Sequence, residues 1–502
     1  MLVDDDKMAS EKEAGGIAAN TLPRDSPRSS SGDADHVAEI DPVAERRLVR
    51  KLDLIIFPSF FVIYMMSFLD RINISNAKIQ GLIEDLDLYG NRFNVALFVY
   101  FISYILMEVP SNMIIKKVRP SLYISALMFI WGIVNLCMGF AQNYATLVAL
   151  RFLLGMFEAG VLPGIIFVTS SYYKRHEYQK RMSFFFTSTV VAGAFGGLIA
   201  YAIARLARIH HFSAWRWIFI IEGAITSAIA VIAAFIIIDW PENTKWLNAK
   251  EKEILRLRLV QDVGDSCHMD TLDRKAFRRI MRDPKIWLGA MMYLGVGVAG
   301  YAGAFFLPTI LVEFNWKPEE AQVHTIPVYV FTAGVMLLGA WASDRLKHRF
   351  GFMLGGACMC TIGLSMLLAQ EGKSRDFKFG AVFLVFGGAY TVTPMALGWL
   401  QNNLCGRWKR AFGAALQVML GNFSGIVGSN IFLMSEKPRY VTGYSMALAM
   451  MWFGTLAAFG LFLVMWRENK KRDAGERDYR LELQEDERNN LGDDHPSFRF
   501  TL

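Results

Sequence analysis

Charge is scarce in this chain and unevenly placed. Asp, Glu, Lys and Arg make up 20% of its 502 residues, with long apolar runs between them, whereas a soluble surface needs about 25–35% of such residues. That balance excludes an ordinary soluble domain. Cysteine is thin as well: Cys137, Cys267, Cys358, Cys360 and Cys405 suggest no disulfide framework, and Cys358-x-Cys360 lacks the spacing and partners of a zinc site. No His, Cys and carboxylate cluster has metal-ligand spacing, and no nucleophile has a nearby histidine. His176, His210, His211, His268, His324 and His348 lie at helix ends or in loops, and His36 and His495 lie in the tails. The expectation is that the chain is not an enzyme and carries no metal or organic cofactor. Nothing before Leu52 has an apolar core long enough for a cleavable secretory signal.

What is abundant is hydrophobic sequence, 53% of the chain, gathered in blocks. Blocks of roughly 18–25 residues are long enough to cross a bilayer as helices. Twelve are readable, at about 52–74, 93–115, 120–140, 146–172, 182–206, 216–238, 285–311, 323–343, 351–369, 378–400, 411–434 and 443–466. The fold class expected is therefore an all-α membrane protein, with twelve transmembrane helices in two six-helix halves. Its parts would be a disordered cytoplasmic tail (1–45), a first half (46–238), a cytoplasmic linker (239–284), a second half (285–466) and a charged, mostly solvated cytoplasmic tail (467–502). Basic residues flank the even-numbered exits. Arg46, Arg47, Arg50 and Lys51 precede span 1, Lys116, Lys117 and Arg119 follow span 2, and Lys174, Arg175, Lys180 and Arg181 follow span 4. Arg345, Lys347 and Arg349 follow span 8, Arg407, Lys409 and Arg410 follow span 10, and Arg467, Lys470, Lys471 and Arg472 follow span 12. This bias places both termini in the cytoplasm. It also accounts for the net charge of +7, so no nucleic-acid partner is implied. The 5–6 loop (Arg205, Arg208, His210, His211, Arg216) and the 9–10 loop (Lys373, Arg375, Lys378) blur the bias without reversing it.

Within that frame the informative stretch is Arg151-Phe-Leu-Leu-Gly155-Met-Phe-Glu158-Ala-Gly160-Val-Leu-Pro163-Gly164, inside span 4. An arginine or carboxylate near a helix centre costs roughly 2.5–3.5 kcal/mol or more, so both must face protein. Seven residues apart, they share a face about 10 Å from each other and need partners from another helix. Span 1 offers them in Asp70-Arg71, and the expected pairing is Asp70 with Arg151 and Arg71 with Glu158. Tyr64, Ser67, Arg71 and Ser75 fall on one face of span 1, a stripe that suits either a lumen or an interhelical hydrogen-bond seam.

Two places six spans apart correspond. Glu108-Val-Pro110-Ser-Asn112 runs into Lys116-Lys117-Val-Arg119-Pro120, and Gly339-Ala-Trp-Ala-Ser-Asp344-Arg345-Leu-Lys347-His-Arg349 sits in the matching position. The second resembles the cytoplasmic loop signature of the major facilitator superfamily, in which an Asp at a helix end latches onto basic neighbours. Asp344, Arg345 and Arg349 are the gating-loop candidates here, while the first copy has Asn112 and no Asp. The recurrence argues for duplicated halves. Gly193, Gly196 and Gly197 in span 5 and Gly421 and Gly425 in span 11 suit close helix packing. A Gly-x-x-x-Gly-Pro-x-x-Gly-Gly pattern, which would suggest a drug/proton antiporter, is absent from span 5. In the linker, Lys250–Val260 reads as a surface helix.

Taken in order, these pieces resemble one branch of that superfamily, the fungal anion:cation symporters, which include allantoate, pantothenate, biotin and nicotinic acid permeases. The resemblance runs from about Asp53 to Trp466. It rests on Phe68-Leu-Asp70-Arg71-Ile-Asn73, the Arg151–Gly164 stretch and Asp239-Trp-Pro-Glu-Asn-Thr-Lys-Trp246-Leu. Asn402-Asn403 with Lys409-Arg410-Ala, Gly421-Asn422-Phe-Ser-Gly-Ile426, Gly428-Ser429-Asn430-Ile-Phe and Lys437-Pro438-Arg439-Tyr440 extend it. It implies proton-coupled import of a small organic carboxylate by alternating access, at the plasma membrane, by a monomer whose partners are the substrate and the bilayer. It further implies that Arg71 binds the substrate carboxylate, that Asp70 and Glu158 are the proton-carrying candidates, and that Arg151 is their charge partner. A purely structural salt-bridge network is the alternative for these four. Tyr64, Tyr293, Tyr301, Trp399 and Asn422 suit ring-stacking or hydrogen-bonding contacts, or else plain core packing. Protons are the only coupling species expected. A proton-independent facilitator, an exporter and a non-transporting nutrient sensor remain alternative functions on the same scaffold.

Overall fold

An apolar run that leaves water must satisfy its backbone hydrogen bonds internally, and the helix does so within one segment. The computed structural model describes residues 41–115, 117–174, 177, 181, 184–207, 213–263, 274–346, 348–405, 407–483 and 491–502. Among the described residues, twelve helices are long and apolar enough to cross a membrane. They are α1 (Pro42–Ala77), α2 (Arg92–Ile115), α3 (Pro120–Met138), α4 (Tyr144–Ser170), α5 (Thr187–Ala207) and α6 (Ala214–Ile236), then α7 (Pro284–Glu313), α8 (Pro318–Leu346), α9 (Arg349–Leu368), α10 (Arg375–Asn403), α11 (Arg407–Asn430) and α12 (Val441–Asp473). The linker joins α6 to α7 and marks what is called here the linker end of the bundle; the opposite end is distal.

Most of the first tail expected from sequence lies outside the described residues, but its last part is helical. Asp41 accepts a hydrogen bond from Val43 N at 2.9 Å and Pro42 occupies the first helical position, a start signal that carries α1 nearly three turns ahead of its apolar run. α4 is broken into Tyr144–Glu158 and Val161–Ser170. Pro163 supplies the cause, since its ring nitrogen cannot donate to the preceding turn. The break falls directly after Glu158.

The linker helix Ala249–Val263 does more than cover a surface. Arg258 is fully buried, bonded to Glu45 of α1 at 3.2 Å and to Glu177 at 2.6 Å, while Glu251 pairs with Lys51 at 2.8 Å. The Asp239-Trp-Pro motif folds the start of this linker onto α3 and α4. Asp239 accepts from Ser121 Oγ at 2.6 Å, the Tyr172 hydroxyl donates to the Asp239 carbonyl, and Trp240 Nε1 donates to the Val118 carbonyl at 3.0 Å.

The second tail departs from the solvated segment expected. Residues 491–502 pack against the linker end of the second half. Asn403 Oδ1 accepts from Thr501 N at 2.8 Å, and Arg472 donates to the carbonyls of Phe498 at 2.7 Å and Asp493 at 2.9 Å. Asp493 is fully buried between Lys285 and Lys409, each at 2.7 Å, and Asp283 completes the cluster through both lysines. The physical reason is charge balance: Lys285 and Lys409 at the feet of α7 and α11 need two carboxylates, and Asp283 is only one.

Burial alone would push the Asp493 carboxyl up, but Lys409 and Lys285 outweigh it and hold Asp493 below the usual carboxylate range. A depressed folded value means the stabilisation is present above the unfolded carboxylate value, roughly 3.9, and is lost as pH falls through the folded one. Hydrogen exchange of residues 491–502 should therefore stay slow at pH 5 and accelerate only below about pH 4. Asp493→Ala, which strands a buried lysine charge at a cost of roughly 3–5 kcal/mol, should abolish that protection at pH 7. Unchanged exchange in Asp493→Ala would show that the cluster does not hold the tail.

Candidate substrate site between the two halves

Adjacent helical residues point about 100° apart, and this separates the two charges of α1. Arg71 turns towards α4 and the second half. Its Nη2 meets Glu158 Oε1 at 2.6 Å and its Nη1 donates to the Tyr301 hydroxyl of α7 at 3.0 Å. Ser67 Oγ donates to the same Glu158 oxygen at 2.6 Å. The guanidinium also lies over Tyr100 at 5.2 Å and Tyr104 at 5.3 Å, whose ring faces favour a cation. Arg71 is 3% exposed and Glu158 0%, so the expected Arg71–Glu158 pair is a desolvated one. Gly155 makes it reachable: a Cβ there would collide with the Tyr100 carbonyl and Ser103 Oγ of α2, so only glycine lets α4 approach this closely.

Asp70 turns the other way, and the pairing expected with Arg151 is replaced by neutral donors. Trp131 Nε1 at 3.0 Å, Asn135 Nδ2 at 2.7 Å and Thr226 Oγ1 at 2.8 Å all donate to it. Arg151 donates through Nη1 to the Arg71 carbonyl at 3.3 Å, and its buried Nε and Nη2 have no hydrogen-bond partner. Sequence reasoning passed over Trp131 and Asn135, although they stand four residues apart on one face of an apolar span. It also passed over Glu222, a carboxylate in span 6 that its intramembrane position alone should have flagged.

The second half supplies a neutral wall. Tyr301 reaches Asn422 Oδ1 at 3.5 Å, and Asn422 Nδ2 reaches Glu108 Oε2 of α2 at 3.5 Å. Glu108, noted only as part of a loop motif, thus belongs to the centre. Beside this chain of contacts lies a cleft of about 570 Å³ counting its open mouth, lined by Tyr64, Phe68 and Phe186 from the first half and Tyr293, Tyr301 and Tyr390 from the second. Of the residues proposed for substrate contacts, Tyr64 and Tyr293 line this cleft. Trp399 does not: its Nε1 donates to the Thr501 carbonyl at 2.9 Å, so it holds the tail at the linker end. The polar stripe of α1 also divides, with Tyr64 on the cleft, Ser67 on Glu158 and Ser75 buried without a partner. At the end of α8, Asp344 pairs with Arg349 at 3.0 Å, whereas Arg345 lies over Trp341 at 5.4 Å and takes no part in that pair.

The halves close on one another distally. A Cβ on Gly193 would collide with the Tyr329 ring, and one on Gly197 would lie 2.7 Å from the Gln322 carbonyl. Lys78, just past α1, is held between Phe93 of α2 at 4.4 Å and Phe306 of α7 at 4.8 Å.

The family model of the Major Facilitator Superfamily matches residues 60–429. The chain belongs to this superfamily. Its relatives are fungal transporters: an uncharacterized transporter of Schizosaccharomyces pombe is 33% identical, covering 92% of this chain and 91% of that one. The high-affinity nicotinic acid transporter of Saccharomyces cerevisiae is 30% identical, covering 88% and 82%. Among solved structures, a bacterial homolog of the human lysosomal transporter Spinster, inward-facing and unoccupied, superposes with a TM-score of 0.60 at 17% identity over 84% of this chain and 97% of that one. The proton:xylose symporter bound to 6-bromo-6-deoxy-D-glucose gives 0.60 at 16% identity over 83% and 96%. The chain is thus a multi-pass membrane transporter, not an enzyme, with the all-helical fold of this superfamily.

The distal closure is testable by cross-linking. A Cβ on Gly197 would stand 3.6 Å from the Thr325 Cβ, within disulfide reach. In a cysteine-free background, the Gly197→Cys/Thr325→Cys pair should oxidise readily, lock the distal end and stop transport until reductant is added. Failure to cross-link under oxidant would mean that the distal ends do not meet in this way.

Proposed function

We propose that this transporter imports a small monocarboxylate anion together with protons, and that the linker end faces the cytoplasm. The observation that carries the proposal is Arg71, a desolvated guanidinium with one side on Glu158 and the other on Tyr301 of the opposite half. A guanidinium is suited to hold a carboxylate by two parallel hydrogen bonds, and the buried, unpartnered Nε of Arg71 leaves a further donor on that fork. The aromatic walls of the cleft suit a flat or apolar body behind the carboxylate. The kinship with a nicotinic acid transporter supports the same class.

Coupling follows from electrostatics. When an anion claims Arg71, Glu158 is left as a buried carboxylate without its counter-charge, a state costing several kcal/mol unless a proton is taken up. Anion and proton then strengthen each other's binding by linkage. The neutralised centre costs less to carry through the rearrangement of the halves, so the loaded carrier moves more readily than one bearing a single bound species. Import is the direction an inward proton gradient would drive, the basic flanks support an orientation with both termini and the linker inside the cell, and the plasma membrane is the setting proposed. The protein works as a monomer, with protons as its only coupling species.

Arg71→Lys keeps the charge but loses the fork, so uptake of radiolabelled small carboxylates should fall at least about tenfold at unchanged protein level, a loss of about 1.4 kcal/mol or more. Near-normal uptake would remove Arg71 from the binding role. Glu158→Gln imitates the protonated state; it should bind and exchange substrate across the membrane but not concentrate it. Asp70→Asn should weaken binding and leave the remaining uptake pH-dependent. Protonophore-sensitive accumulation by Glu158→Gln would refute the assignment of Glu158.

A further inference from the structure

Glu222 stands in α6, fully buried, with neither carboxylate oxygen hydrogen-bonded. Its neighbour Gly223 presses so closely on α3 that a Cβ there would lie 2.7 Å from the Gly132 carbonyl, so α6 and α3 meet backbone to backbone beside it. The charged groups around it are few. α1 presents Asp70, which Thr226, one turn along α6 from Glu222, holds by a hydrogen bond at 2.8 Å, and the charges of Arg151 and Glu158 on α4 also reach Asp70. α3 presents the neutral Trp131 and Asn135, both turned to Asp70. On α6 itself, Arg216 lies six residues away and donates to the carbonyls of Gly139 at 3.1 Å and Ala141 at 2.8 Å. α5 brings no carboxylate, and Lys78 beyond α1 is held between its two rings.

The two carboxyls therefore live under opposite terms. Asp70 accepts three hydrogen bonds, each of which stabilises a negative charge, while Glu222 accepts none. A second anion at Glu222 would combine like-charge repulsion with full desolvation. The neutral acid removes both costs, and its O–H offers a donor to a junction where the buried Asn135 Oδ1 has no partner. We propose that Asp70 and Glu222 form a proton-binding pair carrying one proton and one negative charge, with the proton on Glu222 in this conformation. The pair is a proton store out of reach of the substrate. Its effect on transport rests on the coupled-import reading; its protonation does not.

The test is infrared difference spectroscopy of the full-length protein in lipid vesicles at pH 7. Glu222→Gln should lose the carbonyl stretch of one protonated carboxyl, and Asp70→Asn should lose none. If the amide variant fails to fold, Glu222→Met, of similar volume, provides the same reading. A spectrum unchanged by either Glu222 variant would show Glu222 ionised and overturn the proposal. In uptake assays the midpoint of the pH profile should move in Glu222→Gln, and a profile identical to the parent's would remove the pair from the transport cycle. The infrared band reports on this pair alone, whereas accumulation by Glu158→Gln reports on the coupling itself, so either idea is able to fail without the other.

Discussion

The arrangement depends on one desolvated ion pair, Arg71 with Glu158. Neither charge is tolerable alone in an apolar bundle, and each comes from a helix that the other must reach. That requirement explains the glycine at 155, which brings α4 onto α2, and the break after Glu158, where Pro163 ends the regular ladder. It also explains why aromatic faces rather than aliphatic ones surround the guanidinium. Tyr100 and Tyr104 lower the cost of burying a cation without adding a charge that would compete for it.

The two halves contribute differently. The first holds the ionisable groups at the centre, on α1, α2 and α4, and the second brings hydroxyls, an amide and ring faces through Tyr293, Tyr301, Tyr390 and Asn422. A neutral wall is able to leave and return without stranding a charge, which suits the rearrangement of the halves that the proposed mechanism requires. The bond from Tyr301 to Arg71 and that from Asn422 to Glu108 each exchange readily for water or for substrate atoms.

Much of this is legible in the sequence because membrane cost is so steep. The twelve helices follow from run length, and Arg71, Glu158, Arg151 and Asp70 from their sheer improbability in apolar surroundings. What escapes is direction. Asp70 and Arg71 are neighbours in sequence, and nothing in their spacing tells that Asp70 faces α3 and α6 while Arg71 faces α4, so the Asp70–Arg151 pairing fails. Trp399 fails for a similar reason, since its place in an apolar run says nothing of the tail that its indole holds. The tail itself is polar and reads as solvated, and its order depends on Lys285 and Lys409 more than 80 residues away. Glu222 was legible by the same cost argument that found Glu158.

Under the proposed import mechanism, the contrast between Glu158 and Asp70 decides which carboxyl the substrate addresses. Asp70 is held by an indole, an amide and a hydroxyl, three neutral donors that an arriving anion has no power to draw away. Glu158 is held by Ser67 and by Arg71, and Arg71 also donates to Tyr301 of the opposite half. Under the proposed mechanism, anion binding therefore acts on Glu158 directly and reaches Asp70 less directly, through the charges of Glu158 and Arg151 and through the Arg71 carbonyl that Arg151 holds. A carboxyl insulated from substrate but joined to a protonated neighbour is suited to hold a proton between turnovers. A carboxyl whose counter-charge the substrate removes is suited to take one up within them.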